Sequence, residues 1–193
     1  WYVDEKPQPQ RDFTMADAKR IREQVKQEAL RRGMDLHVMG HGWTCELFGI
    51  PSEGWSQTDE LPPPDMRRHL AKVNGERAYF GGIPLNTNLC YGNPETRRLM
   101  ANLVIDYARE HPDETFVHVW LADGTNNHCE CERCIAHRPS DWYVLMLNEI
   151  DERLTAEELS TRIVFLAYVD LLWGPETHEI QNPDRFLLMF API

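Results

Sequence analysis

The sequence predicts an α/β fold built from parallel β/α units, and two observations support this. Apolar segments of strand length alternate along the 193 residues with amphipathic segments of helix length. This alternation is typical of a parallel sheet whose two faces are covered. Apolar residues make up 42% of the chain and charged residues 26%, which is ordinary for a globular domain.

The first predicted helix covers residues 15–32. Thr14 is placed to cap its first turn, with Asp17 three residues further on, and Gly33 follows its end. A short strand is expected over residues 35–39. The long segment 40–64, rich in proline and glycine, follows it and is predicted to be a functional or irregular loop.

The second long helix has the clearest start signal. Asn93 is a good N-cap, Pro94 suits the first helical position, and the helix is expected to stop at His111. A third long helix is expected to begin near Ser140, and a short one is expected over residues 65–73. The remaining predicted strands, the first of them weak, cover residues 79–84, 116–121, 163–169 and 186–190.

Four or five strands are too few for a complete barrel, which needs eight β/α units and about 250 residues. The chain is therefore either an open doubly wound sheet or part of a (β/α)8 TIM barrel, and the barrel is our prediction. Because the chain begins at Trp1 and ends on an apolar segment, residues 1–193 are expected to form a single partial barrel domain excised from a longer protein. An incomplete barrel exposes sheet edges, so self-association is also expected.

The charge of the chain restricts its partners. With 20 Lys and Arg against 31 Asp and Glu, the formal net charge is -11, which argues against nucleic acid and against anionic membrane surfaces. No apolar run approaches the ~20 residues of a membrane span, and no signal peptide is visible. A soluble protein is predicted, with cytoplasmic and exported locations both open.

Polar and aromatic residues follow the predicted strands. Because the working face of a parallel sheet lies at the carboxyl ends of its strands, these residues should meet there. Asp123 and Asp170 are the catalytic candidates. The substrate-binding candidates combine amides, imidazole and aromatic rings, a mixture that suits sugar hydroxyls and sugar ring faces: His41, Trp43, Asn86, Asn88, Asn127, Tyr168 and Trp173. Two alternatives stay open, that the tryptophans cover core edges and that Asp123 only forms a turn with Gly124.

Three of the five cysteines lie within six residues. Cys131 and Cys134 have the spacing that presents two thiolates to one tetrahedral metal, and Cys129 adds a third. Cys90 is the preferred fourth ligand, with His128 and His137 as alternatives. The cluster predicts a structural zinc site, with a redox dithiol as the alternative. No organic cofactor is expected.

Taken together, several segments make the chain recognisable. From about residue 33 onward, the chain resembles the bacterial family called domain of unknown function 4838 (DUF4838). The segments that carry the resemblance are 37–43 (His-Val-Met-Gly-His-Gly-Trp), 88–95 (Asn-Leu-Cys-Tyr-Gly-Asn-Pro-Glu), 119–124 (Val-Trp-Leu-Ala-Asp-Gly), the cysteines of 129–134, 140–143 with 147–148, and 166–168 (Leu-Ala-Tyr).

The resemblance implies a glycoside hydrolase built on a TIM barrel. Members of the family look like glycoside hydrolases, some of them endo-β-N-acetylglucosaminidases that act on complex N-glycans, and they are distantly similar to β-hexosaminidases and α-glucuronidases. In β-hexosaminidases a strand-end Asp orients the substrate acetamido group and the following Glu is the general acid. Asp123 matches that Asp, but Gly124 stands at the position of the Glu.

That departure leaves three readings of the mechanism. Asp123 is itself the acid, or the acid comes from a strand outside the chain, or the protein only binds sugar. The expected function is hydrolysis of glycans, including ones that contain N-acetylhexosamine. The alternatives are a non-catalytic carbohydrate-binding domain and a zinc-stapled interaction domain.

Overall fold

The computed structural model describes residues 13–38, 40–50, 55–60 and 62–192, and it divides into two compact units after Leu36. The first unit contains helix α1 (Met15–Arg31). Thr14 Oγ1 accepts a hydrogen bond from the Asp17 amide at 3.1 Å, and Asp17 Oδ2 accepts one from the Thr14 amide at 3.2 Å. The predicted cap is therefore confirmed, and its reciprocal bonds satisfy two amides that the helix itself cannot.

The second unit, residues 37–193, is built on a four-stranded parallel sheet. Its strands are β1 (His37–Val38), β2 (Phe116–His118), β3 (Arg162–Tyr168) and β4 (Phe186–Ala191). They lie in the order β1-β2-β3-β4, each parallel to the next. The α/β fold class is confirmed, and the unbroken strand order is compatible with a barrel segment.

Two long helices cover one face of this sheet. Helix α3 (Pro94–Glu110) connects β1 to β2, after the short helix α2 (Trp43–Glu46), and α4 (Pro139–Ala156) connects β2 to β3. Asn93 Oδ1 accepts from the Glu95 amide at 3.0 Å, which confirms the predicted start of α3. The helices bury their apolar stripes, including Met100, Val104 and Leu147, against alternate strand residues.

The two faces of the sheet differ in chemistry. Val117, Ile163 and Phe186 lie in register and belong to the buried core beneath the helices. On the opposite face the His37 ring stacks on Phe116 with centroids 4.4 Å apart, and the Arg162 guanidinium lies 5.0 Å from the centre of that same ring.

Strand β4 is the least covered part of the sheet. Four of its side chains are 42–65% exposed: Leu187, Leu188, Met189 and Phe190. Residues 169–185, between β3 and β4, form 3-10 turns and irregular backbone without a covering α-helix. In the described part of the chain no helix has the length and apolar character needed to cross a membrane.

Two predicted elements are wrong. Residues 79–84 do not form a strand; they fold into 3-10 turns at Phe80–Gly82 and Pro84–Asn86, because Gly81 and Gly82 adopt positive φ of 60° and 73°. The helix expected over residues 65–73 is a single 3-10 turn, Arg67–His69, followed by an isolated antiparallel bridge between Leu70 and Leu89. This bridge pairs Leu89, in the loop before α3, with Leu70, which lies earlier in the chain.

Candidate active site and cysteine cluster

The two predicted catalytic carboxylates lie at the carboxyl ends of neighbouring strands. Asp123 follows β2, and its Oδ1 accepts hydrogen bonds from the Tyr168 hydroxyl at 3.1 Å and from the Gly124 amide at 2.9 Å. Tyr168 is the last residue of β3. Burial, together with the contact to Asp123, raises the pKa of Tyr168, so the phenol remains protonated and donates to the carboxylate.

Asp170 is held against the same loop. Its Oδ2 accepts a hydrogen bond from the Asn126 amide at 2.8 Å and lies 3.7 Å from His128 Nε2. Burial lowers the pKa of His128, and the Asp170 carboxylate opposes this shift. Both carboxylates are thus tied to residues 123–128, so one loop fixes the position of each.

The residue that turns the chain toward Asp170 is strained. Val169 has a φ of 41°, a left-handed conformation that a β-branched side chain rarely adopts. Such strain costs about 1–3 kcal/mol and persists only where the surroundings enforce it. Here it lies between Tyr168 and Asp170, the two β3-end residues that contact the loop after β2.

Trp173 is the most exposed of the predicted aromatic site residues. Its side chain is 72% exposed. With Asp170 and His128 it borders a cavity of about 510 Å³ between the loops that follow β2 and β3. A cavity of this size, with an aromatic ring and a carboxylate, is within the range of small-molecule sites.

His41 lies on the neighbouring strand end. It is half-buried, its Nδ1 is hydrogen bonded to the Leu121 carbonyl at 2.9 Å, and its ring meets the edge of Trp120 at 5.0 Å. The preceding residue, Gly40, also lies close to Trp120, and a Cβ there would be 3.2 Å from that ring. The polar edge of His41 is therefore already held by the loop that carries Asp123.

Trp43 was predicted to contact sugar, but the structure places it in the buried core. The ring is 2% exposed, its Nε1 donates to the His118 carbonyl at 2.8 Å, and it packs edge-on against Tyr107. A sugar cannot reach this indole without opening the core, so the alternative reading, a tryptophan that covers a core edge, fits the structure.

Two of the three predicted amides, those of Asn88 and Asn127, form an internal network, which Asn86 joins only through its backbone carbonyl. Asn88 Nδ2 donates to Asn127 Oδ1 at 2.8 Å, and Asn127 Nδ2 donates to the carbonyls of Asn86 and Asp123, both at 2.8 Å. Asn88 and Asn127 are fully buried. Their amides therefore hold the Asp123 loop to the loop before α3, and this fixes the position of the Asp123 loop.

One anchor of the site was missed at the sequence level. Asp141, in the first turn of α4, is 1% exposed in its side chain, and its Oδ1 accepts from the amides of Glu176, Thr177 and His178 at 2.6–3.1 Å. It thereby ties the loop after β3 to α4. The available signal was weak, since an acid is favourable in any first turn and this preference does not name a distant loop as partner.

The four predicted metal ligands come together. The sulfur atoms of Cys90, Cys129, Cys131 and Cys134 all lie within 4.8 Å of one another, and all four cysteines are free thiols. Cys90 Sγ lies 3.7 Å from both Cys131 Sγ and Cys134 Sγ. In a tetrahedral site with metal–sulfur bonds of about 2.3 Å, sulfurs are about 3.8 Å apart. The cluster is therefore already close to the geometry of a four-sulfur metal site.

Hydrogen-bond donors surround the sulfurs. The amides of Lys72 and Gly92 each donate, at 3.3 Å, to Cys129 Sγ and Cys134 Sγ respectively, and the Arg77 guanidinium lies 3.8 Å from Cys90 Sγ. Gly92 is needed for space, because a Cβ there would lie 2.8 Å from Cys134 Sγ. Donors of this kind stabilise thiolates and orient metal ligands.

The electrostatics of the cluster differ from those of the isolated thiol. Hydrogen bonds from Cys134 and Cys90 lower the pKa of Cys129 well below its ordinary range, and the hydrogen bond to Cys129 raises the pKa of Cys90 to about 11. Cys45 lies apart in the core, where burial raises its pKa to about 11. The mutual contacts therefore lower the pKa of Cys129 and raise those of Cys90 and Cys134, whereas the pKa of Cys45 is raised mainly by burial.

The profile of the family named domain of unknown function, DUF4838, matches residues 58–193. This chain belongs to that family. The match covers both long helices of the second unit, three of its four strands, both candidate carboxylates and all four clustered cysteines. No curated protein and no solved structure matches the chain.

Proposed function

We propose that this DUF4838 chain is part of the catalytic barrel of a glycoside hydrolase acting on glycans, including N-acetylhexosamine-containing ones. The observation that carries the proposal is the pair of strand-end carboxylates, Asp123 and Asp170, both held by the loop after β2, with Asp170 lining the cavity that the exposed ring of Trp173 borders. Carboxylates for proton transfer next to an aromatic platform are what sugar hydrolysis requires.

In this mechanism the carboxyl groups of Asp123 and Asp170 act on the glycosidic bond. Hydrolysis uses two carboxyl groups flanking the bond, or one carboxylic acid together with an acetamido nucleophile from the substrate. Tyr168 orients Asp123 through its hydroxyl, and the Asn126 amide orients Asp170. Gly124 occupies the position at which β-hexosaminidases carry their general-acid glutamate. The acid role therefore falls to Asp123 or to a carboxyl group outside residues 1–193.

Hydrolysis of a panel of nitrophenyl glycosides by the protein that carries this chain tests the proposal. Asp123→Asn and Asp170→Asn should each lower kcat/KM about 100-fold or more, since general acid–base groups contribute at least that much. Asp184→Asn, at an exposed position away from these strand ends, is the matched control and should retain full activity. Wild-type rates in both aspartate variants would rule out these roles.

The alternative functions predict different results. A non-catalytic carbohydrate-binding domain would bind glycans without cleaving them. An interaction domain held together by zinc would show no rise in melting temperature with any glycan, whereas a ligand that binds only the folded state must raise it.

We further propose that the cysteine cluster holds one structural zinc ion. The sulfur spacing of 3.7 Å, the all-sulfur donor set and the surrounding N–H donors support zinc, which favours closed tetrahedral thiolate sites for structure rather than catalysis. The ion would fix the loop between Asp123 and α4, and with it the back of the proposed active site.

Metal analysis of protein purified under reducing conditions tests this. About one zinc per chain is expected, falling to below about a tenth in Cys134→Ser. Cys45→Ala removes a cysteine outside the cluster and should leave the zinc content unchanged. Wild-type protein with less than about a tenth of an equivalent, without exposure to a chelator, contradicts the proposal.

The barrel itself is also a proposal. The exposed apolar side chains of β4 support a further strand beside it, either from the same protein or from a second copy. Light scattering on the isolated 193-residue chain should show self-association. A stable monomer that binds no hydrophobic dye would contradict an unfinished sheet.

A further inference from the structure

The cavity beside Trp173 has a composition that selects among sugars. We infer that it binds an uncharged pyranose carrying an apolar substituent, with Trp173 under the ring and the substituent against the loop that carries the cysteines. The inference deepens the proposed function, on which it rests for the choice of carbohydrate. It adds the class of substrate and residues that the catalytic proposal does not use.

The inner wall of the cavity is apolar. It is formed by the ring of Trp142, the side chains of Leu89 and Tyr91, and Pro139. At the mouth, Ile135 is 69% exposed and Trp173 is 72% exposed. Because these two exposed apolar side chains border the same cavity, they fit the nonpolar face and the apolar substituent of a ligand.

The walls are held in place by hydrogen bonds before any ligand arrives. Trp142 Nε1 donates to the Cys134 carbonyl at 3.0 Å, which ties α4 to the cysteine loop. Arg138 Nη1 donates to the Gly174 carbonyl at 2.9 Å, directly after Trp173. Asp141 holds three further residues of that loop. A preformed pocket of this kind loses little conformational freedom on binding.

The charges around the cavity disfavour an anionic ligand. Asp170 and Glu130 contribute carboxylates. In the lining formed by the described residues, the only Arg or Lys is Arg138, and its guanidinium is already paired with Glu176 and with the Gly174 carbonyl. A uronic acid or a sulfated sugar would meet two negative charges and no unpaired cation. Hydroxyl groups, in contrast, can bond to the Asp170 carboxylate and to the imidazoles of His128 and His137.

The test measures binding apart from hydrolysis. Dissociation constants are determined by ligand-observed NMR with the Asp123→Asn protein, because Asp123 does not line the cavity and the probe is then not consumed. The probes are the nitrophenyl β-glycosides of glucose, galactose, mannose and N-acetylglucosamine. The matching methyl glycosides and nitrophenyl β-glucuronide are included for comparison.

At least one neutral nitrophenyl glycoside should bind, about fivefold or more tighter than its methyl counterpart and about tenfold or more tighter than the glucuronide. Trp173→Ala should weaken that binding about tenfold, and Trp173→Phe less. Trp55→Ala is the matched control, since Trp55 is 57% exposed but does not line the cavity.

The possible failures are distinguishable. Equal or tighter binding of the glucuronide overturns the substrate class. Binding that is unaffected by Trp173→Ala overturns the site, while hydrolysis that depends on Asp123 would still stand. Binding as expected, without hydrolysis by the wild-type protein, leaves this pocket in place and removes the catalytic proposal. Absence of binding by every probe overturns the inference, and the hydrolysis test then decides the proposed function independently.

Discussion

Replacing Asp141 with asparagine should reveal how much the loop after β3 depends on one buried carboxylate. Burial would raise the pKa of Asp141, but the amides and hydroxyl that it accepts from, led by those of Thr177, outweigh this and lower it to about 2 from 3.8. One unit of pKa shift corresponds to about 1.4 kcal/mol, so the shift contributes about 2 kcal/mol to folding.

The sign of the pH dependence follows from the direction of the shift. Because the pKa is lower in the folded state than in the unfolded one, the contribution is complete above about pH 4 and is lost as the pH falls toward 2. At pH 3 about 1 kcal/mol of it should be gone. The amide that Asp141→Asn introduces cannot titrate, so this variant lacks the pH-dependent part.

Urea unfolding of both proteins at pH 6 and at pH 3 provides the measurement. The wild type should be more stable than Asp141→Asn by about 2 kcal/mol at pH 6, and this difference should shrink by about 1 kcal/mol at pH 3. Asp106→Asn changes a carboxylate that is 60% exposed and should shift stability by less than about 0.5 kcal/mol at either pH. A difference that is below about 0.5 kcal/mol at pH 6, or that does not change with pH, would refute the assignment.

Two further substitutions test the backbone features of the site. Val169→Gly and Val169→Ala both lose the half-buried side chain, but only glycine relieves the strain of about 1–3 kcal/mol at a φ of 41°, against a chain-entropy cost of about 1 kcal/mol. In thermal unfolding the glycine variant should therefore be at least as stable as the alanine variant, and a glycine variant less stable by more than about 1 kcal/mol would contradict the strain. Gly92→Ala places a Cβ 2.8 Å from Cys134 Sγ and should lower the bound metal per chain, whereas Gly174→Ala, with open space around its Cβ, should not; equal metal content in the two variants would contradict a steric role for Gly92.

Local signals in the sequence predicted the regular elements well. The caps at Thr14 and Asn93 and the apolar strand segments depend on near neighbours, so the three long helices and the parallel sheet were confirmed. The weak strand at residues 79–84 failed for a local reason as well, because the two glycines in that segment favour turns over extended pairing.

The site was harder to predict because its contacts are distant in sequence. Spacing alone grouped Cys129, Cys131 and Cys134, but the approach of Cys90 depends on the bridge between Leu70 and Leu89. Burial decides whether an aromatic residue faces ligand, and sequence did not separate Trp43 in the core from Trp173 at the surface. The anchor at Asp141 depends on three amides about 35 residues away, which no local pattern specifies.

The short distances within the cysteine cluster also constrain how the protein matures. Cys90 Sγ lies 3.7 Å from two other free thiols, so a small movement would bring it within reach of a disulfide with either one. A chain that meets an oxidant before it meets a metal would be trapped with that bond, and it would lose a donor that comes from a loop about 40 residues away. For the proposed zinc site, metal loading must therefore come before oxidation, and preparation of the protein should keep thiols reduced and zinc present from the first step.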